Sequence, residues 1–456
     1  MDETFSRIKG LDEIIGGGFH KPSTILIAGA AGTGKTTMAM QSLFLAEEKG
    51  EVCMYVTSDI EPSSLVHNFL TGMSFYNVSL LSKGNIHQVP IGTEALDRGV
   101  YSFMWNLEES IEKIRPDRIV IDPINAIGCT FDIGAQRRFY FDLFQRMKKW
   151  GALVIITAEL TEEELIKSDL SYVVDGIIHL SNDKDDFRRT RHLEVLKLRG
   201  KECIPGKHLF SITNDGIMVL PRGKEITSNL EGTITSGIEE LDKSMSGGIP
   251  KNSSTLLCGD AGIGKTAFGL QYVCSGVTSN EKGVIVTFDE NIDRLKGMAS
   301  AIGLDMEKLL KDNSITVLEE KTNYLDVPKH IAKLEKIVEE NGSTRVFVDD
   351  LERYMEALGE EEGTQYIRYL SATLKNHNAT SIFSSTKGST KNSDSGKAFL
   401  MDNKISLNYV KGKTEMKRGI LVQKVALATP ENQLREFVIT PEGFEIKDEL
   451  PLKSLF

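Results

Sequence analysis

No apolar run in this sequence approaches the roughly 18 residues that a membrane-crossing helix needs, so no membrane partner is expected. Residues 1–5 carry no basic stretch leading into an apolar one, so no secretory leader is expected either. Cysteine is sparse: Cys53, Cys129, Cys203, Cys258 and Cys274, with no C-x-x-C pair and no histidine at metal-ligand spacing from any of them. That excludes a disulfide-stapled scaffold and a Cys/His zinc site. Cys53 and Cys258 lie in apolar strand-like runs, and buried free thiols fit a reducing, cytoplasmic compartment. Positive charge is not in excess. With 54 Lys+Arg against 65 Asp+Glu the net charge is −11, which argues against broad attraction to nucleic acid or anionic lipid.

What the chain has is length and apolar material. Its 456 residues, 40% of them apolar, suffice for two or three packed cores. It also repeats itself. Gly10-Leu11-Asp12 followed by residues 16–18, all glycine, recurs as Gly237-Ile238 with Leu241-Asp242 and then Gly247-Gly248. Each copy runs through an apolar stretch (24–27 and 255–257) into a glycine-rich loop (29–36 and 259–266). Lys35 and Lys265 are 230 residues apart, too long for a solenoid period, so the repeat is a duplicated domain.

Both copies continue alike. Helical stretches are expected at 37–49 and 267–277, then strands at 53–57 and 284–288, 117–122 and 344–349, and 152–157 and 380–384. Strand alternating with helix predicts an α/β fold: two tandem P-loop domains, each a mainly parallel sheet flanked by helices. The expected boundaries are 1–225 and 226–456, with a polar, turn-rich linker near 221–232.

The two loops read G-A-A-G-T-G-K-T and G-D-A-G-I-G-K-T, both matching G-x-x-x-x-G-K-[ST]. In that pattern Gly29, Gly32 and Gly34, and likewise Gly259, Gly262 and Gly264, let successive N–H groups wrap a phosphate chain. The helix behind adds its positive end, which includes Thr37. Lys35 and Lys265 would bridge the terminal phosphates of ATP, and the Thr36 and Thr266 hydroxyls would coordinate Mg²⁺. Asp122 and Asp349 each close an apolar strand, where a carboxylate can orient Mg²⁺-bound water. Turnover also needs a group that positions the attacking water. At the end of the strand following each P-loop helix stand Asp289-Glu290 in the second copy and Asp59-Ile60-Glu61 in the first.

With these residues the chain resembles the KaiC family of RecA-like ATPases, which includes the cyanobacterial clock ATPase. Two late segments strengthen the likeness. One is L-E-V-L-K-L-R-G at 193–200, followed by Phe210, Thr213, Gly216 and Ile217; the other is Lys424 followed by R-E-F-V-I-T at 435–440 and Gly443. The resemblance implies a ring-shaped homo-oligomer, usually a hexamer, with ATP between subunits. It implies that Lys197 and Arg199 reach a neighbour's γ-phosphate as an arginine finger does. Read without it, the same two residues are solvated charges on an edge strand. Lys424 matches Lys197, whereas the arginine's counterpart is Ala426, so the second site is expected to hold ATP and turn it over poorly. The clock protein's phosphoacceptors would fall at Ala398 and Phe399, which cannot accept phosphate, so autophosphorylation of that design is not expected.

The basic residues Arg188, Arg189 and Arg191, beside the acidic Asp183 to Asp186, read as a mixed-charge hairpin. The polar stretch 384–395 has two lysines and no aromatic, a poor platform for single-stranded DNA, and reads as a mobile loop. The reading drawn from all this is a regulatory ATPase whose ring switches the binding of an unidentified protein partner. Two alternatives remain: a DNA-dependent recombination ATPase of the RecA/RadA kind, and a weakly hydrolysing P-loop regulator or scaffold of transcription.

Overall fold

In the computed structural model the chain divides into two compact units, Met1–Arg222 and Gly223–Phe456. The structure describes residues 2–58, 63–83, 85–91, 100–125, 133–185, 188–223, 229–321, 325–386, 399–412 and 415–451. Asp59, Glu61, Ala398 and most of the polar stretch at 384–395 lie outside the described residues.

In the first unit the sheet runs Gly216–Leu220, Lys207–Thr213, Arg188–Leu198, Gly176–Asp185, Ser23–Gly29, Leu153–Glu159, Arg118–Asp122, Cys53–Ser58 and Ile86–Ile91. The last six are mutually parallel and the first three add on antiparallel. The central strands are apolar throughout because both faces are covered. Ile25, Ile27, Tyr55 and Val120 pack with Met38, Leu43 and Phe44 of the helix Lys35–Glu47. Their alternate neighbours Leu26, Ala28, Met54, Val56 and Ile121 pack with the helices Val100–Ile114 and Ile133–Met147.

The second unit repeats the plan. Its strands lie in the order Ile315–Glu319, Lys282–Thr287, Ser343–Asp349, Thr380–Thr386, Ser254–Gly259, Asn403–Lys411, Met416–Lys424, Arg435–Thr440 and Gly443–Glu449. Again six are parallel and three antiparallel. The doubly covered parallel sheet expected from the sequence is present twice.

The late segments form the antiparallel end of each sheet and brace the glycine-rich loop. Gln41 of the helix behind that loop clasps Ile217 through both backbone groups, at 3.1 and 2.6 Å. Gln271 in the second unit instead bridges the opening turn and the late hairpin, donating to Gly237 O at 2.7 Å and accepting from Phe444 N at 2.6 Å. The glycine-rich openings align differently from the sequence expectation. Asp12 accepts the Ser6 N–H at 2.6 Å and Asp242 the Ser236 N–H at 2.7 Å, so Gly237 (φ 83°) corresponds to Arg7 (φ 66°), not to Gly10. The aspartate fixes the turn, and a left-handed residue follows the serine whether or not it is glycine.

Candidate functional site

The strand Ser23–Gly29 sits between two parallel neighbours, Leu153–Glu159 and Gly176–Asp185, and the glycine-rich loop leaves its carboxyl end. The loop leaving it is shaped by glycine. Gly34 (φ 106°) and Gly264 (φ 120°) adopt left-handed backbone, and a Cβ on them would come within 2.8 Å of Ile212 Cδ1 and 2.5 Å of Ile439 Cδ1. Gly32 (φ 73°) and Gly262 (φ 76°) are also left-handed, but a Cβ there would meet nothing within 4 Å. The loop is therefore pinned from behind by the late hairpin and open in front.

Each helix begins at the loop lysine, two residues earlier than expected from the sequence, with Gly34 and Gly264 as N-caps. The first helical hydrogen bonds run from Met38 N–H to Gly34 O and from Phe268 N–H to Gly264 O. The N–H groups of the opening turn, which include those of Thr36, Thr37 and Thr266, thus face out of the helix end. An open cradle of backbone donors at a helix N-terminus fits a phosphate chain.

In the first unit Lys35 Nζ donates to Ala30 O at 2.9 Å. Asp122 is buried and accepts from the Thr157 hydroxyl. In the second, Lys265 Nζ donates to Gly259 O (3.0 Å), Asp260 O (3.2 Å) and Thr386 Oγ1 (3.0 Å). The Thr266 hydroxyl donates to Asp349 Oδ2 at 2.7 Å, and the Ser384 hydroxyl donates to the other oxygen of that carboxylate. This hydroxyl–carboxylate pair beside the lysine is suited to Mg²⁺ shared with phosphate oxygens. Among the described residues no group of three or more His, Cys, Asp or Glu side chains could hold a metal unaided.

Three acidic and basic side chains here were not singled out from the sequence as site residues. Asp350 accepts from Thr386 Oγ1 at 3.2 Å, and burial, with Glu352 and Asp349 beside it, pushes its carboxyl up to about 7. Glu352 accepts from Ser385 Oγ at 2.7 Å and from Thr386 N at 3.2 Å. Arg353 bonds Asp289 Oδ2 through Nη2 at 2.6 Å. The signal available was the doubled aspartate at 349–350, where the first copy has Asp122-Pro123. Glu290 pairs with Arg294 at 2.8 Å, so both acids at the end of the strand Lys282–Thr287 are held by arginines of their own chain.

Lys197 lies in an inner strand of the sheet, at an end that is paired on one side only, and Arg199 directly follows that strand. The strand Arg188–Leu198 lies between two others, its partner in the mixed-charge hairpin being Gly176–Asp185. Lys197 Nζ donates to the carbonyl oxygens of Ser171 (2.9 Å) and Tyr172 (3.2 Å). Burial, with Arg199 close by, holds its ammonium below the usual lysine range. Arg199 pairs with Asp175 at 3.3 Å and bonds Tyr172 O at 3.3 Å. Lys424 Nζ donates to Met401 O at 2.6 Å.

The model of the KaiC ATPase family matches residues 5–224 and, a second time, 234–450. The chain belongs to the KaiC ATPase family. It is 28% identical to the circadian clock oscillator protein KaiC of Nostoc sp. over 98% of this chain and 89% of that protein. The KaiC of Synechococcus elongatus is 27% identical over 97% of this chain and 88% of its own. The circadian clock protein KaiC3 of Synechocystis sp. is 28% identical over 96% and 90%. The two family matches cover both P-loops and both late hairpins, so the KaiC likeness spans the braced cradle in each unit.

Proposed function

We propose that this KaiC-family chain binds Mg·ATP at two sites, hydrolyses it, and assembles into a ring, expected to be a hexamer, whose nucleotide state switches a protein partner in the cytoplasm. One observation carries the reading: each unit presents the same open glycine cradle, with a lysine at the helix start and a carboxylate at the strand end. Gly29, Gly32, Gly34, Lys35, Thr36 and Thr37 hold one triphosphate; Gly259, Gly262, Gly264, Lys265 and Thr266 hold the other. Thr36 with Asp122, and Thr266 with Asp349, hold Mg²⁺, which when bound neutralises charge on the phosphates.

Asp289 and Glu290, and Asp59 in the first unit, position the attacking water. Lys197 and Arg199 serve a neighbouring subunit's terminal phosphate, and Lys424 does so at the second site. For this the lysines and Arg199 must leave the carbonyl groups on which they now rest, so these contacts are a resting state exchanged for phosphate on assembly.

The test is sedimentation or gel filtration in Mg·ATP and in ADP, with turnover followed in the same samples. Wild type should assemble in ATP, and Lys35→Ala should assemble less well. An unchanged oligomer for Lys35→Ala contradicts the assembly half. Strong stimulation of turnover by single-stranded DNA would favour a recombination ATPase instead.

A further inference from the structure

The internal repeat exchanges an arginine between its two copies. The offset that brings Asp122 onto Asp349 and Lys197 onto Lys424 sets Arg199 opposite Ala426. It also sets Arg353 opposite Ala126. Each unit thus has one arginine where the other has alanine, and the two arginines are at different points of the fold.

Arg353 lies in the first turn of the helix Glu352–Leu358, directly behind the strand that ends at Asp349. Its Nε and Nη2 reach Asp289 Oδ2 at 3.1 and 2.6 Å, and its Nη1 reaches Glu356 Oε2 at 2.7 Å. The guanidinium therefore spans the carboxyl ends of two adjacent strands, Lys282–Thr287 and Ser343–Asp349. The cradle's strand, Ser254–Gly259, is two places along from Ser343–Asp349. That gap of about 10 Å at ordinary strand spacing is one that the contacts of Thr266 with Asp349 and of Lys265 with Thr386 already bridge.

Charge favours an extra cation here. Asp289, Glu290, Asp349, Asp350 and Glu352 gather at this edge, and a triphosphate adds more negative charge. Arg294 is 69% exposed, whereas Arg353 is 28% exposed and aimed at the strand ends. Its two tethers are both exposed, the Asp289 side chain 53% and the Glu356 side chain 52%, and exposed ion pairs hold weakly. A guanidinium–phosphate pair is one of the stronger charge-assisted contacts.

We propose that Arg353 binds the terminal phosphate of ATP at the second site from within the same chain, as a ground-state contact in the unit that has alanine where the other has Arg199. This rests on the reading that the second cradle holds ATP. Asp289 is the resting perch of the guanidinium, and nucleotide binding exchanges one anion for another. It follows that the second site tells ATP from ADP without an arginine at position 426.

The experiment uses the full chain with Lys35→Ala, so that calorimetry reports the second site alone. ATP and ADP are titrated in Mg²⁺ against this parent and against the same chain carrying Arg353→Ala or Arg353→Lys. Arg353→Ala should weaken ATP by about tenfold to a hundredfold, the scale of one charged hydrogen bond, while ADP changes by less than about twofold. Arg353→Lys should fall between. Unchanged ATP affinity overturns the proposal. So does an equal loss for ATP and ADP, which would make Arg353 a strut of the site. A parent that binds neither nucleotide would sink the two-site reading, and this inference with it.

Discussion

Arg345 is 1% exposed, yet it carries a charge at the amino end of the strand that finishes at Asp349. Its Nε and Nη2 both meet Glu281 Oε2 at 2.6 Å. Nη1 binds Thr235 O (2.7 Å), Tyr272 O (2.9 Å) and Ser275 Oγ (3.2 Å). The first unit repeats the device with Arg118, 0% exposed, and Glu51. Glu281→Ala would leave the guanidinium with its neutral partners and no counter-charge. Breaking a buried pair from one side costs about 3–5 kcal/mol, and the partly exposed Glu281 argues for about 3. For a unit of this size each kcal/mol lowers the melting midpoint by about 2–4 °C, so a fall of about 6–12 °C is expected. Thermal unfolding followed by calorimetry should show it in the transition of the second unit, with the first unmoved. The double variant Glu281→Leu/Arg345→Met should recover most of the loss, since an apolar pair needs no counter-charge. A fall below about 2 °C for Glu281→Ala would refute the reasoning, because the cation would then be reaching water.

Arg199→Ala should slow turnover while ATP affinity stays within a few-fold; a large loss of affinity would make Arg199 a ground-state contact. Asp350→Asn tests the buried acid. A carboxyl raised from 3.8 to about 7 in the folded chain adds stability that is complete below pH 3.8 and is lost as pH rises through about 7. The second unit of Asp350→Asn should therefore melt above wild type at pH 8, with the gap narrowing by pH 5. A gap that does not change with pH would remove burial as the cause.

The parallel sheets and both cradles were legible because their causes are local. Doubly buried strands must be apolar along their whole length, and a left-handed loop ahead of a helix needs glycine at set intervals. The opening segment misled because identity of residue type was followed instead of the hydrogen bond: Asp12 and Asp242 hold the turn, and Arg7 tolerates the backbone that Gly237 adopts. Arg118 and Arg345 went unweighed because an arginine beginning an apolar strand looks solvent-facing until Glu51 and Glu281, far away in sequence, close over it. Arg353 was hidden for a similar reason, since its contact with Asp289 joins two strand ends that only the sheet brings together. The resting contacts of Lys197 and Arg199 depend on carbonyl groups of the short helix Asp169–Val173, which no side-chain pattern announces.

The most direct test is the number of Mg·ATP molecules bound per chain, measured by equilibrium dialysis or calorimetry on nucleotide-free protein. Two are expected for wild type, one each for Lys35→Ala and Lys265→Ala, and none for the double variant. Binding that ignores both lysines, or no binding at all, would contradict the two-cradle reading.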